Sequence, residues 1–312
     1  MGSGGIGPGE QSDVGQDAIR ALSQAANHSD GAIPLSDAAL LSPGRDSVHL
    51  AVWSDSEELD GYAYVDPVSE IAELVVRPEA RGHGIGTELV SAAITAGARR
   101  FWAHGDQPAA RALARRFGAR PARTLYLLAR TEAATPAPPS PPAAQAALPA
   151  GYRLRRYAGE ADDEGLLRVN SAAFTDLPDQ GSWSKQDLRA RVEADWFDPD
   201  GLLVLERTDN DVSVPGAQIV GFHWTKVHPD GTGEVYVLAL DPSVQGHRLA
   251  GPLTCAGLAQ LRRRGCSEVV LFVDSGNVRA LRLYERLGFT RRRSDVLYAV
   301  GAETPGGWIE GA

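Results

Sequence analysis

Cysteine, lysine and methionine are nearly missing from this chain: two, two and one of them among 312 residues. Cys255 and Cys266 fall in what reads as one helix, about 16 Å of rise apart, too far for a disulfide, so both are expected to be reduced core thiols. No apolar run approaches the roughly 20 residues that a bilayer span needs. The segment Met1 to Glu10 is glycine-rich and lacks the basic and apolar regions of a secretory signal, so a cytoplasmic protein is expected. Positive charge is not in excess either. Thirty-one basic against 40 acidic side chains leave a net charge of -9, shared evenly between the halves, which excludes a basic arm for nucleic acid or an anionic membrane surface. His104, His223 and His228 form no H-x-x-x-H pattern and the cysteines no C-x-x-C pair, so no metal is expected, and these histidines should cap, pack or face solvent.

What is present is a chain 43% hydrophobic and 23% charged, enough for one large core or two ordinary ones. Between Thr131 and Ala150 the sequence TEAATPAPPSPPAAQAALPA cannot build a core and reads as an extended spacer. It divides the chain into a first domain over 1–131, a linker over 132–150 and a second domain over 151–312. Each half is read as α/β. In the first, VHLAVW, LDGYAYVD and EIAELVV are strands, TELVSAAITAGARR a helix, FWAHG a short strand, QPAARALARRFGA a helix and RTLYLLAR a last strand. The second half repeats the order from YRLRRY to SDVLYAV, with two helices from about Asp162 and Ser184. Laying Val76-Arg77-Pro78 on Leu240-Asp241-Pro242 places Gly84 on Arg248, Gly86 on Ala250, Glu70 on Glu234, Gly118 on Gly288 and Ala114 on Tyr284. An internal duplication accounts for this.

Arg81-Gly82-His83-Gly84-Ile85-Gly86 joins a strand to a helix, the context in which glycines let a phosphate approach the backbone and the first helical N–H groups face an anion. It is neither a dinucleotide fingerprint nor a Walker loop, and by itself a tight structural turn explains it equally well. The order is more telling: a strand ending in V-x-P, then R-x-x-G-x-G, a long helix, a short strand and a helix ending in R-F-G-A or R-L-G-F. This resembles the GNAT superfamily of N-acetyltransferases. The second half keeps Gln245 and Ala250 of the loop pattern, with Arg248 in place of the middle glycine. GFHWTKVHPDGTGEVYVL, ADWFDPDGLLVLE, LLRVNSAAF and PDQGSW resemble a two-domain branch of that superfamily found in actinobacteria.

The resemblance implies two tandem domains, each a mixed, mostly antiparallel sheet flanked by helices with a V-shaped opening for acetyl-CoA. It implies acetyl transfer to the cysteinyl amine of a cysteine–glucosamine–inositol pseudodisaccharide, directly, in a ternary complex. Acetyl-CoA would lie along Leu74, Val75 and Val76 and the loop Gly82, His83, Gly84, Ile85, Gly86 and Thr87 of the first half. In the second it would meet Leu238, Ala239 and Leu240, the loop Gln245, Gly246, His247, Arg248, Leu249, Ala250 and Gly251, and the helix start Asn277, Val278, Arg279, Ala280, Leu281 and Arg282. Asp37, Asp179, Lys226, Glu234 and Phe272 are the implied substrate contacts, Phe272 standing where the family usually has tyrosine.

An α-amino group is largely protonated at neutral pH and needs a base before it attacks a thioester. Glu234 shares a strand face with Tyr236 and Leu238, an apolar setting that strengthens a carboxylate as a base. The plain alternative is an exposed glutamate at a strand end. Tyr284 is the implied acid for the departing thiolate, against the alternative of a packed helix tyrosine. Ala114 leaves the first half without that acid, so the second half is expected to react and the first to bind acetyl-CoA or support the fold. A monomer is expected. An N-acetyltransferase for another amine, such as an aminoglycoside or a peptide N-terminus, and a non-catalytic acyl-CoA sensor stay open at this level.

Overall fold

The structure, a computed structural model, describes residues 7–9, 14–41, 47–131, 145, 147–208 and 219–301, with only the backbone of 7–9, 41, 178 and 179. Most of the expected spacer lies outside the described residues. The chain separates into two compact units, 1–124 with 294–312, and 125–293. This corrects the expected boundaries of 1–131 and 151–312. The last strand of each half belongs to the unit built by the other half, since an apolar strand carries no local signal of which sheet edge it will pair with.

In the first unit the elements are β1 (Gly7–Gly9), α1 (Gln16–Asp30), α2 (Asp37–Leu41), β2 (Val48–Trp53), β3 (Leu59–Asp66), β4 (Ile71–Val76), α3 (Ile85–Thr95), β5 (Arg100–Ala103), α4 (Pro108–Arg116) and the start of β6 (Arg120–Thr131). In the second they are the rest of β6, β7 (Tyr152–Arg156), α5 (Glu160–Ala173), α6 (Pro178–Gly181), α7 (Lys185–Val192), β8 (Leu202–Arg207), β9 (Ile219–Val227), β10 (Gly233–Leu240), α8 (Ala250–Arg263), β11 (Glu268–Asp274), α9 (Val278–Arg286) and the start of β12 (Thr290–Ala299), whose end returns to the first unit. Strand order is β1-β2-β3-β4-β5-β12 within the first unit and β7-β8-β9-β10-β11-β6 within the second. Each has a single parallel pair, β4 with β5 and β10 with β11, all other neighbours being antiparallel.

Alternation along the strands supplies two apolar faces per sheet. In the first unit Ala51, Tyr62, Tyr64 and Val75 pack on Ile19, Leu22 and Ala26 of α1, while Leu50, Val52, Ala63, Val65 and Ala72 pack on Leu89, Val90 and Ala93 of α3. In the second, Val204, Phe222, Trp224 and Val237 meet Leu166, Val169 and Leu188 of α5 and α7. The opposite face covers α8 and α9 through Val235, Leu258, Leu261, Leu271 and Tyr284. Helix α7 begins where its sequence says it should, with Ser184 and Asp187 forming a capping box. Cys255 and Cys266 are free and buried, as expected, but Cys266 lies beyond the end of α8, because Gly265 turns the chain at φ +84°.

Candidate active site

Both parallel pairs open into a gap. Pairing of β10 with β11 runs from Gly233↔Val269 to Val235↔Leu271 and stops, while β10 continues to Leu240. Val237 to Leu240 thus lie beyond the last residue of β10 that pairs with β11. A bulge at Tyr236 on the β9 side bends β10 at the same place. Directly after β10 comes the turn that leads to α8: Gly246 at φ +84°, Arg248 at φ +59°, and the helix from Ala250. In the first unit Gly82 and Gly84 take φ +83° and +94° before α3, and a Cβ at either would meet nothing within 4 Å. Arg248 therefore keeps the left-handed turn that glycine makes without strain in the first unit. A Cβ at Gly246 or Gly251 also meets nothing within 4 Å, so each loop leaves room for a phosphate beside a helix start, whose first N–H groups have no partner within the helix.

Not every side chain of these loops faces outward. Arg81, the first residue of the motif, makes a two-pronged ion pair with Asp30 at 2.8 and 2.7 Å and also donates to the Val76 carbonyl, so it braces α1 against the loop. His247 bonds the Tyr152 hydroxyl at 2.6 Å. Asn277 caps α9 by accepting from the N–H of Ala280. Val278 is half exposed at that helix start.

Glu234 lies on β10 before the bulge, 8% exposed, opposite Lys226 on β9 and beside Val270 on β11. Its Oε2 lies 2.7 Å from Nε2 of His228, a hydrogen bond whose donor is set by the imidazole tautomer. This corrects the expectation that His228 only caps, packs or faces solvent. The signal was the period of two: Trp224, Lys226 and His228 alternate along one strand and Glu234 and Tyr236 along the next. The Lys226 ammonium lies 4.6 Å from the Trp196 ring centre and 5.4 Å from that of Tyr236. Trp183, Trp196 and Phe197 close around Trp224, joined by Tyr236, whose hydroxyl accepts from Nε of Arg191. The sequence marks these rings as apolar, not as neighbours of the lysine.

Tyr284 is buried, stacked edge-on against Phe289, in the cluster that contains Val235 and Leu271. Burial pushes its phenol well above the ordinary tyrosine range, so it keeps its proton. Phe272 is 40% exposed on β11, with the Arg293 guanidinium over its ring. Asp37 sits in the first unit at the start of α2, and Asp179 lies in α6 with its side chain outside the described residues.

The bulge also changes which residues correspond. Counting back from the equivalent pairs Gly61↔Val76 and Gly221↔Leu240, Lys226 falls on Asp66 and Glu234 on Ile71. The gapless alignment that put Glu234 on Glu70 is one residue out. Glu70 is in the β3–β4 turn at φ +54° with its side chain 52% exposed. The first unit keeps a different buried polar group. His104 lies 3.0 Å from Asp295 and 3.8 Å from Glu73, whose carboxylate also accepts from the Ser36 N–H. Burial alone would lower the His104 pKa, but Asp295 and Glu73 outweigh it and hold it up at about 9. Among the described residues no group of three His, Cys, Asp or Glu could hold a metal ion. No described helix is long and apolar enough to cross a membrane.

The sequence profile of the Acetyltransferase (GNAT) family matches residues 18–119 and again 168–289, most of both halves. The chain is 43% identical over 295 residues to the mycothiol acetyltransferase of Thermobispora bispora, covering 91% of this chain and 95% of that one. It is 45% identical over 294 residues to that of Nocardia farcinica, with 91% and 93% covered. The chain belongs to the GNAT family, among its mycothiol acetyltransferases. Its fold is also that of a tandem GNAT protein from the clavulanic acid biosynthesis pathway (TM-score 0.67, 17% identity, 96% and 99% covered) and of a GCN5-related N-acetyltransferase from Sphaerobacter thermophilus (0.62, 23%, 94% of each). As expected of that family, both halves carry an α/β domain with a mixed sheet flanked by helices, and the GNAT assignment makes acetyl-CoA the acyl donor.

Proposed function

We propose that this chain transfers the acetyl group of acetyl-CoA to the cysteinyl amine of a cysteine–glucosamine–inositol pseudodisaccharide, completing mycothiol, and that the second unit does the chemistry. The observation that carries this reading is Glu234: a carboxylate buried on the bulged strand where β10 loses its parallel neighbour. An extended chain with amide groups, such as the pantetheine arm, can pair with the open backbone of residues 238–240 as a strand would, its pyrophosphate reaching the turn 245–251 and the α8 N-terminus.

In this reading Glu234 removes the proton from the amine. A backbone N–H of the 238–240 stretch polarises the thioester carbonyl, and the Tyr284 hydroxyl supplies the proton that leaves with the CoA thiolate. Lys226, held by the Trp196 and Tyr236 rings, donates to a hydroxyl or carbonyl oxygen of the acceptor; Asp179 and Phe272 complete the substrate contacts of this unit. The first unit binds a second acetyl-CoA on its 82–87 loop or supports the fold, and it does not react: its counterparts to Glu234 and Tyr284 are Ile71 and Ala114. A monomeric cytoplasmic enzyme, needing no metal, nucleic acid or membrane, completes the reading.

The test is thiol release from acetyl-CoA with the pseudodisaccharide, an aminoglycoside or a peptide N-terminus as acceptor. The pseudodisaccharide should be turned over fastest. Glu234→Gln should lower that rate by about 10²-fold or more while acetyl-CoA still binds by calorimetry. Equal rates for Glu234→Gln and wild type would remove Glu234 as base.

A further inference from the structure

A base buried as deeply as Glu234 has a second task, which is to lose the proton it has taken before the next amine arrives. Starting from an ammonium, the transfer forms one N–C bond, breaks one C–S bond and removes two protons from nitrogen. One replaces the proton that Tyr284 gives to the CoA sulfur, and one must leave for solvent. The Glu234 side chain is only 11% exposed, and the group against it on the outer side is the His228 imidazole, 21% exposed, with Nε2 and Oε2 2.7 Å apart. Imidazole is the side chain that both accepts and gives up a proton near neutral pH.

The turn between β9 and β10 holds this ring in place. The His228 N–H donates to the Thr232 carbonyl at 2.8 Å and the Gly231 N–H donates back to the His228 carbonyl at 2.9 Å, with Gly231 at φ +84°. The Thr232 N–H also donates to Asp230 Oδ1. Of the charged groups, Glu234 on β10 and Asp230 in the turn act on the ring, and Lys226 lies across from Glu234 on β9. Asp230 is held below the ordinary carboxylate range, first by the Thr232 N–H and in smaller part by His228.

We infer that His228 is the proton outlet of Glu234: it receives at Nε2 the proton that Glu234 has withdrawn from the acceptor amine and passes a proton from its other ring nitrogen to water. This rests on Glu234 being the base. His228 touches neither substrate nor sulfur, and so it is a positioning and relay residue.

The experiment compares Glu234→Gln, His228→Gln, His228→Ala and the double variant Glu234→Gln/His228→Gln in steady-state turnover across pH and buffer concentration. Glutamine can still hydrogen-bond Glu234 but cannot carry a proton onward. His228→Gln should lower kcat about ten-fold at neutral pH, with KM for acetyl-CoA and amine unchanged and the loss shrinking as buffer concentration rises. Free imidazole should restore part of the His228→Ala rate, and the double variant should be no slower than Glu234→Gln alone. Wild-type turnover in His228→Gln, or a loss that appears in KM and ignores buffer and imidazole, overturns the relay while leaving the base reading intact if Glu234→Gln is slow. Should Glu234→Gln run at the wild-type rate, base and relay fall together.

Discussion

Tyr284 shows how one residue can be asked to do two things. Its ring fills the core against Phe289, and burial keeps its hydroxyl protonated, as an acid for a departing thiolate requires. The two roles separate in Tyr284→Phe, which keeps the ring and its packing. Turnover should fall about ten- to hundred-fold with the melting temperature nearly unchanged; unchanged turnover would leave only the packing role. At this scale the sequence was informative about identity and poor about company. Glu234 stood out by its place on a strand and Tyr284 through the resemblance to the GNAT superfamily, whereas the His228 bond and the rings over Lys226 depend on a turn and a bulge that bring residues six or more apart onto one face.

Among the elements, α8 matters most, because its start carries the turn beneath the open end of β10. It approaches β9 at Gly257, where an added Cβ would lie 2.1 Å from Cε1 of the His223 ring. That ring cannot yield easily: it is fully buried, and its Nδ1–H donates to the Leu253 carbonyl at 2.9 Å. Gly257→Ala should therefore push the helix off the sheet, costing about 1 to 3 kcal/mol in a urea melt of the second unit and weakening acetyl-CoA binding by moving the 245–251 turn. Equal stability and affinity would show that the contact relaxes without cost. Nothing in the helical pattern of the sequence distinguishes this glycine from a weak point in the helix.

Taken whole, the chain is two copies of one topology with unlike titrating interiors. In the first unit His104 has a folded pKa of about 9, above its unfolded 6.5, so its stabilisation is complete below 6.5 and is lost as pH rises through 9. In the second, burial lowers His223 to about 4 against only the Leu253 hydrogen bond, so that unit is most stable above 6.5 and weakens as pH falls toward 4. Each effect is on the order of 3 kcal/mol. Hydrogen exchange followed across pH should show first-unit amides losing protection in alkali and second-unit amides in acid, and His104→Gln should abolish the alkaline slope. The duplication, the order of strands and helices and the glycine turn were legible in the sequence, because hydrophobic period and turn residues are local properties of the chain. Where β6 and β12 pair, the one-residue offset that sets Glu234 against Ile71, and the cluster of Glu73, His104 and Asp295 were decided by tertiary structure alone, since ladder register and burial depend on partners distant in sequence.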